Sequence, residues 1–203
     1  MKIILKIKIL LKVLIIISCS SHPSLAEKIS LNKISDYINE LTTLQADFEQ
    51  INSDGSVVTG KLYIRRPGKM RLEYTSPNNA LVIAGAGNVA IFDDKSNNGP
   101  TLFPLKKTPL NLLLKENVDL YKNEMITEHT ANNKNTFIIA KDPKRKSQGS
   151  IKMVFNNNPI SLQGWTITNQ SNQKTKIILN KLEKKTKIPL YLFNILGASK
   201  NKN

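Results

Sequence analysis

From residue 57 onward the apolar residues of this chain recur at every second position, and that period commits most of the chain to a sheet. Val57–Arg66 (VVTGKLYIRR) and Lys69–Thr75 (KMRLEYT) alternate apolar with polar residues on either side of a Pro67-Gly68 turn. Ala80–Ala84, Asn88–Asp93, Thr136–Lys141, Ser150–Phe155, Ile160–Asn169 and Lys174–Leu182 read as further strands. Their separators are short and rich in Asn, Gly, Pro and Ser: GAGN at 85–88, SNNGP at 96–100, NNNP at 156–159 and NQSNQ at 169–173. Connections this short join antiparallel neighbours, because parallel strands need long crossovers. Upstream, Leu31, Ile34, Ile38, Leu41, Leu44, Phe48 and Ile51 recur at steps of three and four. The spacing predicts one amphipathic helix capped by Ser30 and ending at the turn Asn52–Gly55. A second, short helix is expected after Thr108-Pro109, with Thr108 as N-cap and a dense patch of Leu110, Leu112, Leu113 and Leu114.

Alternation sorts the strand residues into two faces. Leu62, Ile64, Met70, Leu72, Met153, Phe155, Trp165 and Ile167 fall on an apolar face. Lys61, Arg65, Lys69, Arg71, Glu73, Ser150 and Lys152 fall on a charged one. One long helix must cover the apolar face of many strands. Either the sheet folds on itself as a sandwich, or it curves around a space that the helices fill in part, leaving an apolar cavity. The leucine patch at 110–114 is then either a lid over that space or an ordinary core helix.

The sequence offers little for catalysis. It holds one Cys and two His, far apart, so no Cys/His zinc site can be assembled. No G-x-S-x-G, H-E-x-x-H, P-loop or dinucleotide fingerprint occurs. Asp93-Asp94 reads as a turn, and Gly85-Ala86-Gly87 precedes a strand, not the helix that a phosphate loop requires. No enzyme, metal or cofactor is therefore expected, although catalysis by carboxylates alone stays formally open.

Residues 1–26 read as a cleaved export signal. Lys2, Lys6, Lys8 and Lys12 precede or interrupt an apolar run that continues through Val13–Ile17, and Ser24-Leu25-Ala26 offers small residues for the cut. The run is shorter than the roughly 20 apolar residues of a spanning helix. Ile16-Ile17-Ser18-Cys19 also fits a lipobox, so Cys19 could instead be acylated and hold the protein on a membrane. The domain expected after cleavage is 27–203. Removing the four leader lysines lowers the formal charge from +15 to +11. In an exported protein this favours anionic lipid over nucleic acid as a partner, beside the plainer reading of solvated strand faces.

The order of motifs then carries a resemblance. Phe48-Glu49-Gln50 is followed by Gly60-Lys61-Leu62-Tyr63-Ile64-Arg65-Arg66-Pro67-Gly68, Met70-Arg71-Leu72-Glu73-Tyr74 and Pro77. Then come Pro104-Leu105, Thr108-Pro109-Leu110, Leu113-Leu114 and Leu162-Gln163-Gly164-Trp165. Over residues 30–195 this resembles the periplasmic outer-membrane lipoprotein carrier family, LolA-like. The resemblance implies an incomplete antiparallel β-barrel, a mainly β fold with helices, in which the N-terminal helix and a short lid helix cover an apolar cavity. It implies a monomeric periplasmic carrier that takes acylated lipoproteins from an inner-membrane ABC transporter to the outer membrane or a receptor there. The alternatives are a membrane-anchored acceptor of the same fold using Cys19, or a lipid-binding sensor of the envelope.

Residue by residue, the family's gating arginine falls on Arg66. Its parity with Leu62 and Ile64 points it toward the cavity, where it is expected to bond carbonyls of a lid formed by Leu110, Leu112 and Leu113. The expected acyl-chain lining is Leu62 and Ile64, Met70 and Leu72, Leu81 and Ile83, Val89 and Ile91, Met153 and Phe155, and Trp165 and Ile167. Two departures stand out. Gly85-Ala86-Gly87 replaces an acidic-glycine turn, and little chain follows Phe193 for an extra C-terminal strand.

Overall fold

The computed structural model describes residues 28–75, 79–93, 99–122, 124–142, 149–185 and 187–200. The leader with Cys19, Pro77 and Asp94 lie outside the described residues. Eleven strands form one antiparallel sheet: β1 (Thr43–Ile51), β2 (Val57–Arg65), β3 (Lys69–Tyr74), β4 (Leu81–Gly85), β5 (Asn88–Phe92), β6 (Thr101–Pro104), β7 (Ile126–Ala131), β8 (Asn135–Lys141), β9 (Ser150–Asn157), β10 (Ile160–Thr168) and β11 (Lys174–Lys184). The order across the sheet is β6-β5-β4-β3-β2-β1-β11-β10-β9-β8-β7, so two runs of hairpins are joined through the β1·β11 pair. β6 and β7 remain as edges and the sheet does not close into a barrel. The connection between these edges carries a 3-10 turn η1 (Leu105–Lys107) and a short helix α2 (Asn111–Leu114). The chain ends in a 3-10 turn η2 (Leu190–Phe193) and helix α3 (Ile195–Lys200).

Helix α1 (Leu31–Glu40) starts where expected: Ser30 is extended and its Oγ accepts from the Lys33 N–H at 3.3 Å. It stops eleven residues earlier than the periodicity implies, because Leu41 leaves helical geometry at φ −82°, ψ 71° and Thr43–Ile51 is strand β1. Leu44 and Phe48 are four apart, which satisfies a helix and also the even parity of a strand. Ala46 between them is buried on the same face and decides for the strand. The edge strands β6 and β7 escaped the sequence reading because neither alternates: all of β6 is exposed and β7 is half-buried at two positions.

The core lies on one face of the sheet. Ile34, Ile38 and Leu41 pack onto Phe48, Leu62, Ile64, Met153 and Phe155, all nearly or fully inaccessible. The Tyr37 ring meets Phe155 edge-on at 6.1 Å, and its hydroxyl oxygen accepts from the Leu162 N–H at 3.0 Å. Gly60 makes room for the Phe48 ring, which sits edge-on to Tyr74 at 5.2 Å. A Cβ at Gly60 would overlap the Glu73 carbonyl oxygen and come within 2.8 Å of the Phe48 ring.

The opposite face is not uniformly wet. Under β4 and β5 a second apolar cluster joins Leu81, Ile83, Ala90 and Phe92 to Ile188 and Phe193 of the C-terminal segment. Arg65 donates to the Ile188 carbonyl at 2.7 Å and Arg71 to that of Leu192 at 3.0 Å, so two strand arginines tie the segment down. No strand follows β11 among the described residues.

Ahead of α1, the Ile29 N–H donates to Thr136 Oγ1 at 3.0 Å and the Ile29 carbonyl meets His129 Nε2 at 2.9 Å. Partial burial holds the His129 pKa below the usual imidazole value, with Lys28 adding to the effect and the Ile29 carbonyl opposing it.

Two outcomes follow from these contacts. Gly60→Ala lowers unfolding stability by about 1–3 kcal/mol in urea titrations, the cost of overpacking a tight site. His129 is neutral in the fold and its pKa is depressed, so the unfolded chain takes up the proton first. Its contribution is fully present above about pH 6.5 and is lost as pH falls through the folded value. In the chain without its leader, His129→Asn therefore flattens the stability profile between about pH 7 and 5.

Candidate functional site

Residues of β3, β4 and β5 and residues of β10 and β11 line one cavity of about 730 Å³, which shows that the sheet curls. Met70, Leu72, Val82, Val89 and Ile91 form one wall, Trp165, Ile167 and Ile177 the other. Pro109 and Leu110 close it from the β6–β7 connection, while Phe103 stands at its edge. Gln50, Thr175 and the turn Asn169-Gln170-Ser171 give it one polar end. Lys107 is the one charged residue in the wall among the described residues. Tyr74 donates to Gln50 Oε1 at 2.6 Å, and burial pushes its pKa up to about 12, so this phenol keeps its proton. The lining is mostly apolar, and among the described residues no carboxylate is part of it. No three His, Cys, Asp or Glu side chains are grouped to hold a metal among the described residues.

The structure distributes the expected lining over three environments. Met70, Leu72, Val89, Ile91, Trp165 and Ile167 are in the wall. Leu62, Ile64, Met153 and Phe155 share that face but are packed beneath α1, away from the open space. Leu81 and Ile83 must be corrected, because they point to the other face and pack on the C-terminal segment. The pairing Leu72↔Val82 puts Val82 and Ala84 on the cavity side. Every residue of the run Leu81–Ala84 is apolar, so alternation could not choose its inward parity. Two further wall residues were not expected: Ile177 lies in the apolar run Ile177-Ile178-Leu179, which leaves its parity open, and Phe103 is on an edge strand with no pattern.

Above the cavity, Leu110 faces the space while Leu112, Leu113 and Leu114 are buried. Helix α2 begins later than the sequence implied. Thr108 does not cap it: its Oγ1 donates backward to the Leu105 carbonyl at 2.9 Å, and Leu110 occupies the cap position.

Arg66, just past β2, stands where two helix ends converge. Its Nη1 donates to the Ile38 carbonyl in the last turn of α1. Its Nη2 donates to the Lys115 and Glu116 carbonyls after α2, at 2.7 and 3.2 Å, and to Asn39 Oδ1 at 3.4 Å. The Ile38 carbonyl lies in the last turn of α1, at the negative end of the helix dipole, and also accepts from the Leu41 N–H at 3.2 Å; the Lys115 and Glu116 carbonyls follow α2. Desolvation lowers the Arg66 pKa from the usual arginine value, although guanidinium stays charged in proteins. Two neighbours reinforce the junction. Asn39 donates to the Val118 carbonyl and accepts from the Val118 N–H, both at 2.9 Å, and Ser35 Oγ accepts from the Leu120 N–H at 3.0 Å. The Gly68 N–H donates to the Leu114 carbonyl at 2.7 Å. Ser35 and Asn39 gave no sequence signal, since polar positions on a short helix ordinarily face water.

Among the described residues no helix is long and apolar enough to cross a membrane. A protein-family model described as outer membrane lipoprotein carrier protein LolA matches residues 39–196. An uncharacterized protein of Rickettsia prowazekii is 29% identical over 187 residues, covering 92% of this chain and 86% of its own length. The outer-membrane lipoprotein carrier protein of Methylococcus capsulatus is 32% identical over 80 residues, 37% of this chain and 38% of that one. That of Chromohalobacter salexigens is 23% identical over 165 residues, 74% and 75% of the two chains. Among solved structures, a putative outer membrane lipoprotein-sorting protein domain from Vibrio parahaemolyticus aligns with TM-score 0.48 and 13% identity over 83% of this chain and 97% of that one. The match covers most of the sequence from α1 to α3, and the chain belongs to the LolA family of outer membrane lipoprotein carrier proteins.

Proposed function

We propose that this protein is a periplasmic carrier, exported by a signal at residues 1–26 and acting as a single domain over 27–203. It shields the acyl chains of lipoproteins between the inner and outer membranes. The observation that carries the reading is the open apolar cavity beside a polar latch: about 730 Å³ of space between β3–β5 and β10–β11, with Leu110 over it and Arg66 holding the connection closed. The volume falls within the roughly 300–1,000 Å³ of small-molecule sites. Each methylene buried from water contributes about 0.8 kcal/mol, so fatty chains are retained by solvent exclusion alone and no covalent step is needed.

Reversibility comes from the latch. While Arg66 bridges α1 and the segment after α2, Leu110 stays over the cavity. Releasing the Lys115 and Glu116 carbonyls frees the connection to swing outward, and the entering chains replace Leu110 against the wall. An inner-membrane ABC transporter would load the carrier, and the outer membrane or a receptor there would unload it.

Arg66→Leu takes the guanidinium from the Lys115 and Glu116 carbonyls and leaves the Ile38 carbonyl with the Leu41 N–H alone, so the junction of α1 and α2 loosens. In cells the variant accumulates with bound lipoprotein and fails to pass it on, read by mass spectrometry of co-purifying material. Transfer at the wild-type rate would remove Arg66 from the mechanism. The cavity has its own test. Ile91 is 40% exposed and lines the wall. Ile91→Glu puts a carboxylate beside the acyl path at little cost to folding. It weakens uptake of a fluorescent fatty acid by about tenfold or more, as expected when a charge must be desolvated, while the distant Val57→Glu does not.

A further inference from the structure

The C-terminal segment has apolar side chains on both sides. Ile188 and Phe193 point down into the second cluster, and Leu192, Ile195 and Ala198 pack against it. Leu190, Tyr191 and Leu196 project outward and are 55%, 73% and 77% exposed. Three large apolar side chains standing free within seven residues need a partner more than isolated surface leucines do. From Lys184 to Asn203 the sequence contains no Asp or Glu, and Lys187 and Lys200 flank the exposed trio in the open.

The segment lies against the back of β4 and β5, where Arg65 and Arg71 hold it through the Ile188 and Leu192 carbonyls and Glu73 is paired with Arg71.

We propose that the C-terminal segment, through Leu190, Tyr191 and Leu196 with Lys187 and Lys200 beside them, docks on an anionic phospholipid surface. Leucines enter the shallow acyl boundary, the tyrosine sits at head-group level where aromatic rings with a polar tip are favoured, and the lysines meet the lipid phosphates. The docking is peripheral, since neither η2 nor α3 is long enough to insert. This surface is independent of the cavity and of the carrier reading.

The test uses protein purified in its processed form, with Cys19→Ser to exclude an attached acyl chain. It is co-sedimented with vesicles of phosphatidylcholine alone or with added phosphatidylglycerol. Binding is expected to the second and not the first, and to weaken steeply between low and physiological salt. Tyr191→Ser with Leu196→Ser, and separately Lys187→Glu with Lys200→Glu, each weaken it by about tenfold. Melting and fatty-acid uptake by both variants stay as in the parent, which separates this surface from the cavity. Equal binding to both vesicles, no binding to either, or binding that neither variant changes overturns the proposal. So does a dimer in solution that the Tyr191/Leu196 variant dissolves, which would make a second copy of the chain the occupant.

Discussion

A curled sheet offers more apolar surface on its hollow side than a ten-residue helix can cover, and the rest of this structure is organised by that mismatch. Helix α1 fills the part under β1, β2, β9 and β10, where Phe48, Leu62, Met153 and Phe155 lose essentially all contact with water. What remains, between β3–β5 and β10–β11, is covered by a connection whose helix is four residues long. The uncovered wall is costly in water and favourable to a fatty chain for the same reason. Core and cavity are thus one surface, divided by where α1 stops. The backbone change at Leu41 that turns the chain into β1 is therefore as important to function as any lining residue.

The two ends of the sheet contribute differently. Most neighbours are joined by hairpins, so the strand order follows the sequence outward from the β1·β11 pair in both directions. The chain must then return from edge β6 to edge β7, and the shortest return passes across the hollow. The cover over the cavity is in this sense a consequence of topology. It is a connection, and connections are held by few contacts and move more readily than the elements they join. The back of the sheet solves a different problem. There the apolar strip formed by Leu81, Ile83, Ala90 and Phe92 is hidden by a segment fixed through Arg65 and Arg71.

How much of this was legible depended on whether a residue's neighbours in sequence were also its neighbours in space. Strands β2, β3, β9 and β10 could be placed because Leu62, Ile64, Met70, Leu72, Met153 and Trp165 alternate cleanly with charged or polar residues. The same logic failed at Leu44 and Phe48, whose spacing of four belongs to both periods, and at Leu81–Ala84, where an unbroken apolar run carries no parity. Arg66 could be singled out by its place before Pro67. Its partners Ile38, Asn39, Lys115 and Glu116 could not all be named, because the β6–β7 connection meets α1 only after the sheet has formed. The residues Ile188–Lys200 have no single period, being apolar on two sides, and nothing local assigned them to the back of the sheet.

On the proposed carrier reading, the bonds of Arg66 bear on how a cover could be secure without being permanent. Arg66 is a desolvated cation whose acceptors are backbone carbonyls and one amide, with no carboxylate among them, and its Nε is buried without a partner. A hydrogen bond from a charged group is worth about 1.5–3 kcal/mol. Removing a cation from water costs several kcal/mol before any bond is counted. Partial burial of the guanidinium offsets part of what these bonds contribute, whereas a carboxylate partner would have deepened the closed arrangement. Lys115, whose own carbonyl Arg66 holds, has its pKa lowered by desolvation, with Asp119 opposing the shift and the nearby Arg66 adding to it. On the carrier reading proposed above, a ligand that supplies a few buried methylenes competes with the cover for the cavity wall, and its departure lets the cover return.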